Sequence, residues 1–226
     1  MTQKLCLIGG SGLRESKSFK DFQSLKINNK YGRPVIFKRG DIFFIQRHQG
    51  GRPPRSINFK AYFQALADLA VKKIISFNSV GSLKTKIKIP SLMVPHDFIC
   101  LSAGPTFFDN KIVHGTPRFS ADLRQVLIKI CRASGAPVYD KGVYLQTPGP
   151  RFETAAEVKM FSKFADVAGM TLASEVILAG ELGLEIVSVC SVDNYSNGVS
   201  GHLDYRAGAK NNLKKIEAIA EKIIKT

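Results

Sequence analysis

The chain has no tryptophan, only four cysteines and four methionines in 226 residues, and 18 acidic residues against 33 basic ones. Each shortage excludes something. Cys6, Cys100, Cys131 and Cys190 never fall within two to four residues of one another, which removes the ligand spacing of a zinc finger or ribbon. They are expected as buried, reduced thiols. No apolar run approaches the roughly 18–20 residues that span a bilayer, so an integral helical membrane protein is excluded. The opening MTQKLCLIGG has neither an apolar signal core nor a small-residue cleavage site, so the cytoplasm is expected rather than secretion. There is no internal repeat and no low-complexity linker. With 44% hydrophobic and 23% charged residues, the chain reads as folded rather than disordered. Residues 1–226 are therefore expected to form one domain, long enough to bury roughly 70–75% of the surface its unfolded chain exposes.

What is present in excess is positive charge, a formal net +15. Such a charge suits either nucleic acid or a small anionic substrate. The lysines are scattered, as in Lys72, Lys73, Lys84, Lys86 and Lys88, and those of NLKKIEAIAEKIIKT read as the solvated face of a helix. No RNP-type aromatic motif or recognition-helix pattern accompanies them. A non-catalytic, basic nucleic-acid-binding protein stands as the alternative from another class.

Apolar runs alternate with helical patterns along the whole chain, the α/β signature. LCLIG is a first strand; PVIFKRG and DIFFIQRH are two more, joined at Arg39-Gly40. SINFKAYFQALADLAVK predicts a helix with Ser56 as N-cap, and KIISFNSVGS a buried strand ending in a small-residue loop. SLMVPHDFICL is a strand broken by Pro95, and SADLRQVLIKICRASG a helix capped by Ser120 and closed by Gly135. Residues 102–117, rich in Gly and Pro, predict a mobile loop. KGVYLQTPGP, ADVAGMT and EIVSVCSV read as strands. ETAAEVKMFSKFA, ASEVILAGELG and DYRAGAKNNLKKIEAIAEKIIK read as helices.

Ligands of α/β proteins gather at the carboxyl ends of strands. There the sequence places Gly9, Gly10, Ser11 and Gly12; Arg47 and His48; Asn78, Ser79 and Gly81; Gly149, Pro150, Arg151, Phe152 and Glu153; Met170 and Thr171; and Asp193, Asn194 and Tyr195. Hydroxyls, glycine-supported backbone N–H groups, an arginine and a histidine suit an oxyanion such as phosphate. A carboxylate and an amide suit the edge of a heterocycle. The Gly-Gly-Ser-Gly turn is neither a P-loop, lacking Gly-Lys-Ser/Thr, nor a dinucleotide fingerprint, since Glu15 stands three residues after Gly12.

The spellings IGGSGL, RH, NSVGSL, GPRFETAAE, GMT followed by SEV, and VDNY, in that order, resemble the trimeric-class purine nucleoside phosphorylases, which include the methylthioadenosine and methylthioinosine phosphorylases. The resemblance runs from about residue 5 to the final helix. It implies a single-domain, three-layer α/β/α fold with a mixed, barrel-like central sheet, assembled as a homotrimer or dimer of trimers. It also implies phosphorolysis of a purine nucleoside with no metal or organic cofactor, inorganic phosphate being the co-substrate. Carried over, Ser11, Arg47, His48, Ser79 and Thr171 match phosphate-binding positions. Ser11 and Thr171 would act as hydroxyl donors and Ser79 mainly through its backbone N–H. Met170 matches a residue against the ribose, Phe152, Glu153 and Asn194 match the base pocket, and Asn78, counted with these base- and ribose-binding residues, also orders the phosphate loop. His202 fits a position that reaches the ribose 5′ substituent. Asn194, His48 and Ser11 are the expected catalytic residues.

Chemistry then favours one class of purine. A 6-oxopurine carries hydrogen on N1, which a carboxylate at Glu153 accepts. Adenine presents a bare lone pair there, and mismatched buried polar groups cost roughly 1–3 kcal/mol. The 6-amino members carry Ser in place of that Glu, and Asp-x-Asp where this chain has Asn194-Tyr195-Ser196. Inosine, guanosine or 5′-methylthioinosine are thus expected. 5′-Methylthioadenosine is the alternative should Asp193 occupy the base side. A nucleoside hydrolase is disfavoured, for want of an Asp-rich calcium cluster.

Overall fold

A computed structural model describes residues 3–10, 13, 16–200 and 205–225, with the backbone alone at 205–209 and 211. Ser11, Gly12, Glu15, His202 and Leu203 lie outside the described residues or side chains. The strands are β1 (Leu5–Gly9), β2 (Gln23–Lys26), β3 (Val35–Arg39), β4 (Ile42–Gln46), β5 (Lys73–Ser82), β6 (Ser91–Met93), β7 (Asp97–Cys100), β8 (Val138–Tyr139), β9 (Val143–Gln146), β10 (Val167–Gly169) and β11 (Glu185–Tyr195). The helices are α1 (Phe59–Asp68), α2 (Ala121–Arg132), α3 (Ala155–Phe161), α4 (Leu172–Glu181) and α5 (Tyr205–Lys225).

All eleven strands join one mixed sheet, whose main path runs β2-β3-β4-β1-β5-β10-β9-β7, with β11 on β5, β6 on β11 and β8 on β6. The strand at the centre is β5, and its pairing makes the site. One edge of β5 is occupied by β11 in parallel from Lys73 to Ser82. The other edge holds β1, in parallel, only from Lys73 to Ser76, and then β10, antiparallel, at Gly81 and Ser82. Between Phe77 and Val80 the sheet forks, and backbone groups on that edge are left for side chains or ligands. This is the α/β crevice at a switch in strand order.

Side-chain alternation gives the sheet two apolar faces. Cys6, Ile8, Ile45, Ile74 and Ile186 pack with Tyr62, Phe63, Leu172 and Val176 of α1 and α4. Leu7, Phe44, Ile75, Val187 and Val189 pack with Leu127, Ile128, Ile219 and Ile223 of α2 and α5. The result is helices on both faces of a mixed sheet, the layered α/β architecture expected.

Several local expectations need correction. The first helix begins at Phe59, and Asn58 rather than Ser56 caps it, its side chain accepting from the Ala61 N–H. Ser56 instead lies in a short 3-10 turn with Pro54 at its start, which delays the helix. KIISFNSVGS stays in the sheet through Ser82, because β11 pairs with all of it. β11 likewise runs on to Tyr195, so Asn194 is a strand residue and not part of a following loop. β2 and β8, short and polar or isolated, were not legible as strands. Ser120 caps α2 as expected, and Thr154 closes a capping box with Glu157 on α3. Cys6, Cys131 and Cys190 are buried and all four thiols are free, but Cys100 is only half-buried. Burial pushes the Cys131 and Cys190 thiols up to about 12, which leaves them inert at neutral pH.

Candidate active site

The fork in the sheet opens into a cavity of about 370 Å³, within the usual size of small-molecule sites. Its wall includes Arg47, His48, Ser79, Phe152, Glu153, Met170, Thr171 and Asn194. Those eight residues span positions 47 to 194, and the topology alone gathers them. Two glycines make room: a Cβ on Gly10 would stand 2.8 Å from Arg47 Nη1, and one on Gly81 would stand 2.7 Å from Ser196 Oγ.

Arg47 follows β4 and is 2% exposed. Its N–H donates to the Gly9 carbonyl at 2.8 Å, and Tyr62 of α1 donates its hydroxyl to the Arg47 carbonyl at 3.2 Å. Its guanidinium is divided. Nε donates to Glu175 at 2.5 Å, and Nη2 donates to Ser76 Oγ at 2.8 Å and to the Phe77 carbonyl at 3.2 Å. The last bond serves one of the backbone groups freed by the fork. Nη1, beside Gly10, makes no hydrogen bond among the described residues and is the donor left for a ligand. Glu175, 1% exposed on α4, also accepts from Ser76 Oγ at 2.5 Å. The pair is neutral as a unit, and each charge is too deeply buried to stand alone.

Below the cavity lies a chain of polar side chains. Thr171 Oγ1 donates to Asn78 Oδ1 at 2.9 Å, and Asn78 Nδ2 donates to Ser76 Oγ at 2.8 Å and Ser188 Oγ at 3.0 Å. Asn78 is 3% exposed, is not among the residues of the cavity wall, and orients Thr171 by accepting its hydroxyl. The Thr171 hydroxyl hydrogen is thereby engaged, and its oxygen faces a ligand as an acceptor until that bond turns. The Ser79 hydroxyl is engaged too, donating to Asp193 at 2.5 Å. The N-terminal N–H groups of α4 go largely to side chains: those of Thr171 and Leu172 to Tyr144 Oη, each at 3.2 Å, and that of Ser174 to Gln146 Oε1 at 3.0 Å.

His48 Nδ1 lies 2.8 Å from the Arg52 carbonyl. A carbonyl only accepts, so Nδ1 carries the proton, and Nε2 in the neutral ring is an acceptor. On the same cavity wall, Glu153 is 8% exposed and its carboxylate makes no hydrogen bond among the described residues. Asn194 is 9% exposed, and its Nδ2 gives one hydrogen to the Tyr195 carbonyl at 2.8 Å; a second N–H and the amide oxygen remain. Phe152 is half exposed at the mouth.

Asp193 is not on the base side. It is 2% exposed and faces α5, where Asn212 Nδ2 donates to it at 2.9 Å. Sequence reasoning missed Glu175, Ser76, Gln46 and Arg52. Glu175 did leave a signal, a lone charge inside the apolar helix LASEVILAG. Gln46, just before Arg47 on the wall, has a buried Nε2 with no hydrogen-bond partner among the described residues, and nothing in its spelling marked it.

Arginine, histidine and hydroxyl groups share the wall of one cavity in an α/β sheet with a carboxylate and an amide, a donor and acceptor set able to hold an anion and a nitrogenous ring. Residues 4–225 match the model of the Phosphorylase superfamily, and the chain belongs to that family. It is 42% identical to a protein of Archaeoglobus fulgidus named probable 6-oxopurine nucleoside phosphorylase, over 97% of this chain and 95% of that one. It is 38% identical to a probable S-methyl-5′-thioinosine phosphorylase of Methanocaldococcus jannaschii, over 97% and 88%. It is 37% identical to the S-methyl-5′-thioadenosine phosphorylase of Pyrococcus abyssi, over 85% and 79%. A crystal structure of a mutant adenosine/methylthioadenosine phosphorylase from Schistosoma mansoni, in complex with methylthioadenosine, superposes with a TM-score of 0.90. That likeness covers 99% of this chain and 91% of that one at 24% identity, and it concerns the fold.

Proposed function

We propose that the protein cleaves the N-glycosidic bond of a 6-oxopurine nucleoside with inorganic phosphate, giving the free base and a ribose 1-phosphate or its 5′-methylthio counterpart. The observation that carries this reading is one cavity whose wall holds both a buried arginine and a buried carboxylate that makes no hydrogen bond among the described residues.

The bond is hard to break because the purine leaves with its electron pair. As the C1′–N9 bond lengthens, positive charge grows on the ribosyl centre and negative charge on the base. Phosphate held by Arg47 Nη1, His48, Thr171 and the backbone at Ser79 sits beneath C1′, offsets the first charge, and forms the new C1′–O bond. The second Asn194 N–H donates to purine N7 and offsets the other, an oxyanion-hole type of effect worth about 3 kcal/mol. Glu153 accepts the N1–H of a 6-oxopurine. With the Thr171 hydroxyl hydrogen held by Asn78, the Thr171 oxygen is an acceptor for the O–H of hydrogen phosphate.

The reaction needs neither metal nor organic cofactor, and Ser11 joins the phosphate contacts. His202, which lies outside the described residues, is assigned to the 5′ substituent on the sequence resemblance alone. The chain works in the cytoplasm as a homotrimer whose neighbour covers the half-exposed Phe152. Among the described residues no helix is long and apolar enough to cross a membrane. The test is a panel of inosine, guanosine, adenosine and their 5′-methylthio counterparts, each with and without phosphate. Base release from the 6-oxo compounds in phosphate only is expected; no release from any of them ends the reading.

A further inference from the structure

Asp193 has no part in the steps above, yet it is among the most buried carboxylates in the chain. It accepts from Ser79 Oγ at 2.5 Å, from Ser191 Oγ, and from Asn212 Nδ2 at 2.9 Å. Burial still leaves its carboxyl above the ordinary range, because those three bonds offset only part of the desolvation. Its place in the fold is specific. Along β11 the register against β5 slips once, with Val192 opposite Val80 and Asn194 opposite Gly81. Asp193 is the extra residue of that bulge. Bulges re-aim the side chains that follow them, and the residue that follows here is Asn194, on the cavity wall.

Asn212 holds the bulge from α5. It is fully buried and donates also to the Val192 carbonyl at 3.2 Å, so one amide grips the backbone just before the bulge and the side chain within it. A carboxylate offers acceptors only. It therefore fixes the direction of all three donors around it, where a hydroxyl or an amide would leave alternatives.

We propose that Asp193 is a positioning residue for departure of the base: anchored through Ser79, Ser191 and Asn212, it locks the bulge that holds the Asn194 amide against purine N7. The inference rests on the phosphorolytic reading above and deepens it. Ser79 carries the same anchor to the phosphate end, so one buried group ties both ends of the cavity to α5.

A purine methylated on N7 separates positioning from general damage. Its base already carries positive charge and leaves as a neutral ring, so no donor to N7 is needed. In Asp193→Asn, the new amide N–H groups meet three donors, and the bulge loses its lock. The expected result is a fall of about tenfold or more in kcat/KM for inosine with phosphate, against less than about threefold for 7-methylinosine. Ser191→Ala, outside the cavity and with the carboxylate intact, is expected to show the same ordering with a smaller loss, and it carries the test if Asp193→Asn fails to fold. Equal losses on the two nucleosides, or no loss on either, would overturn the proposal. Wild-type protein that releases no hypoxanthine in phosphate overturns the reading beneath it instead.

Discussion

Glu153 decides which purine the cavity takes. Its carboxylate is almost buried, makes no hydrogen bond among the described residues, and shares the cavity wall with Arg47. A desolvated acceptor left open needs a donor, and N1–H of a 6-oxopurine supplies one, whereas N1 of adenine meets it with a lone pair. Glu153→Gln exchanges an obligate acceptor for an amide that presents either a C=O or an NH2 to N1. The ratio of kcat/KM for inosine over adenosine is expected to fall roughly 10- to 100-fold, corresponding to about 1.4–2.8 kcal/mol. Glu153→Ala should cost inosine turnover while the thermal transition is kept. Side-by-side kinetics on the two nucleosides settle this, and an unchanged ratio would remove Glu153 from base selection. At this scale the sequence was legible where chemistry-bearing residues sit at strand ends. Arg47, His48, Phe152, Glu153, Met170, Thr171 and Asn194 all reach the cavity. It was not legible where a partner is supplied by tertiary contact: Glu175 meets Arg47 only because the fold brings α4 to the residue that follows β4, and the Thr171 and Ser79 hydroxyls are aimed by Asn78 and Asp193 rather than by their own neighbours in the chain.

Among the elements, the base side of the cavity depends on how β5, β9 and β10 are held together, and Asp166 is the clasp. Just before β10, its carboxylate accepts from Lys84 Nζ at 2.8 Å and from the Val143 N–H at 2.8 Å, which ties the end of β5 to the start of β9. Burial acts to raise its pKa, but the Lys84 ammonium and the Val143 N–H outweigh it and hold the carboxyl below its ordinary value. A group depressed in the folded state stabilises above its unfolded pKa, near 3.9, and that contribution drains away as pH falls through the folded value. Asp166→Asn is therefore expected to lower Tm at pH 7 and to match wild type progressively as pH drops below about 4. The pair is partly solvated, so the loss is about 1 kcal/mol or less, a shift of roughly 2–4 °C. A Tm difference that stays constant between pH 7 and pH 3 would contradict the assignment. The strands and helices themselves were largely readable from apolar periodicity. What periodicity could not give was the extent of β5 and β11, because polar Asn78, Ser79, Asp193 and Asn194 look like loop residues until the fork in the sheet shows why polar groups belong inside those strands.

For the whole molecule, the net charge of +15 bears on the one anion the reaction consumes. Within the site Arg47 is neutralised by Glu175, and Glu153 on the wall adds a negative charge, so the cavity itself offers phosphate donors but little net attraction. The pull on an approaching dianion then comes from the surrounding lysines and arginines, acting through solvent as a long-range field. Such a field is screened by salt, its range shrinking from about 30 Å at 0.01 M to about 3 Å at 1 M ionic strength. A neutral nucleoside feels none of it. Raising potassium chloride across that range should lower kcat/KM for phosphate several-fold while leaving kcat/KM for inosine, measured at saturating phosphate, within about twofold. If both hold constant, the basic surface plays no part in catching phosphate. If duplex DNA instead competes with phosphate at low salt and loses its effect as salt rises, the charge serves a polyanion, as counterion release requires, and the enzyme's excess of lysine has a second use.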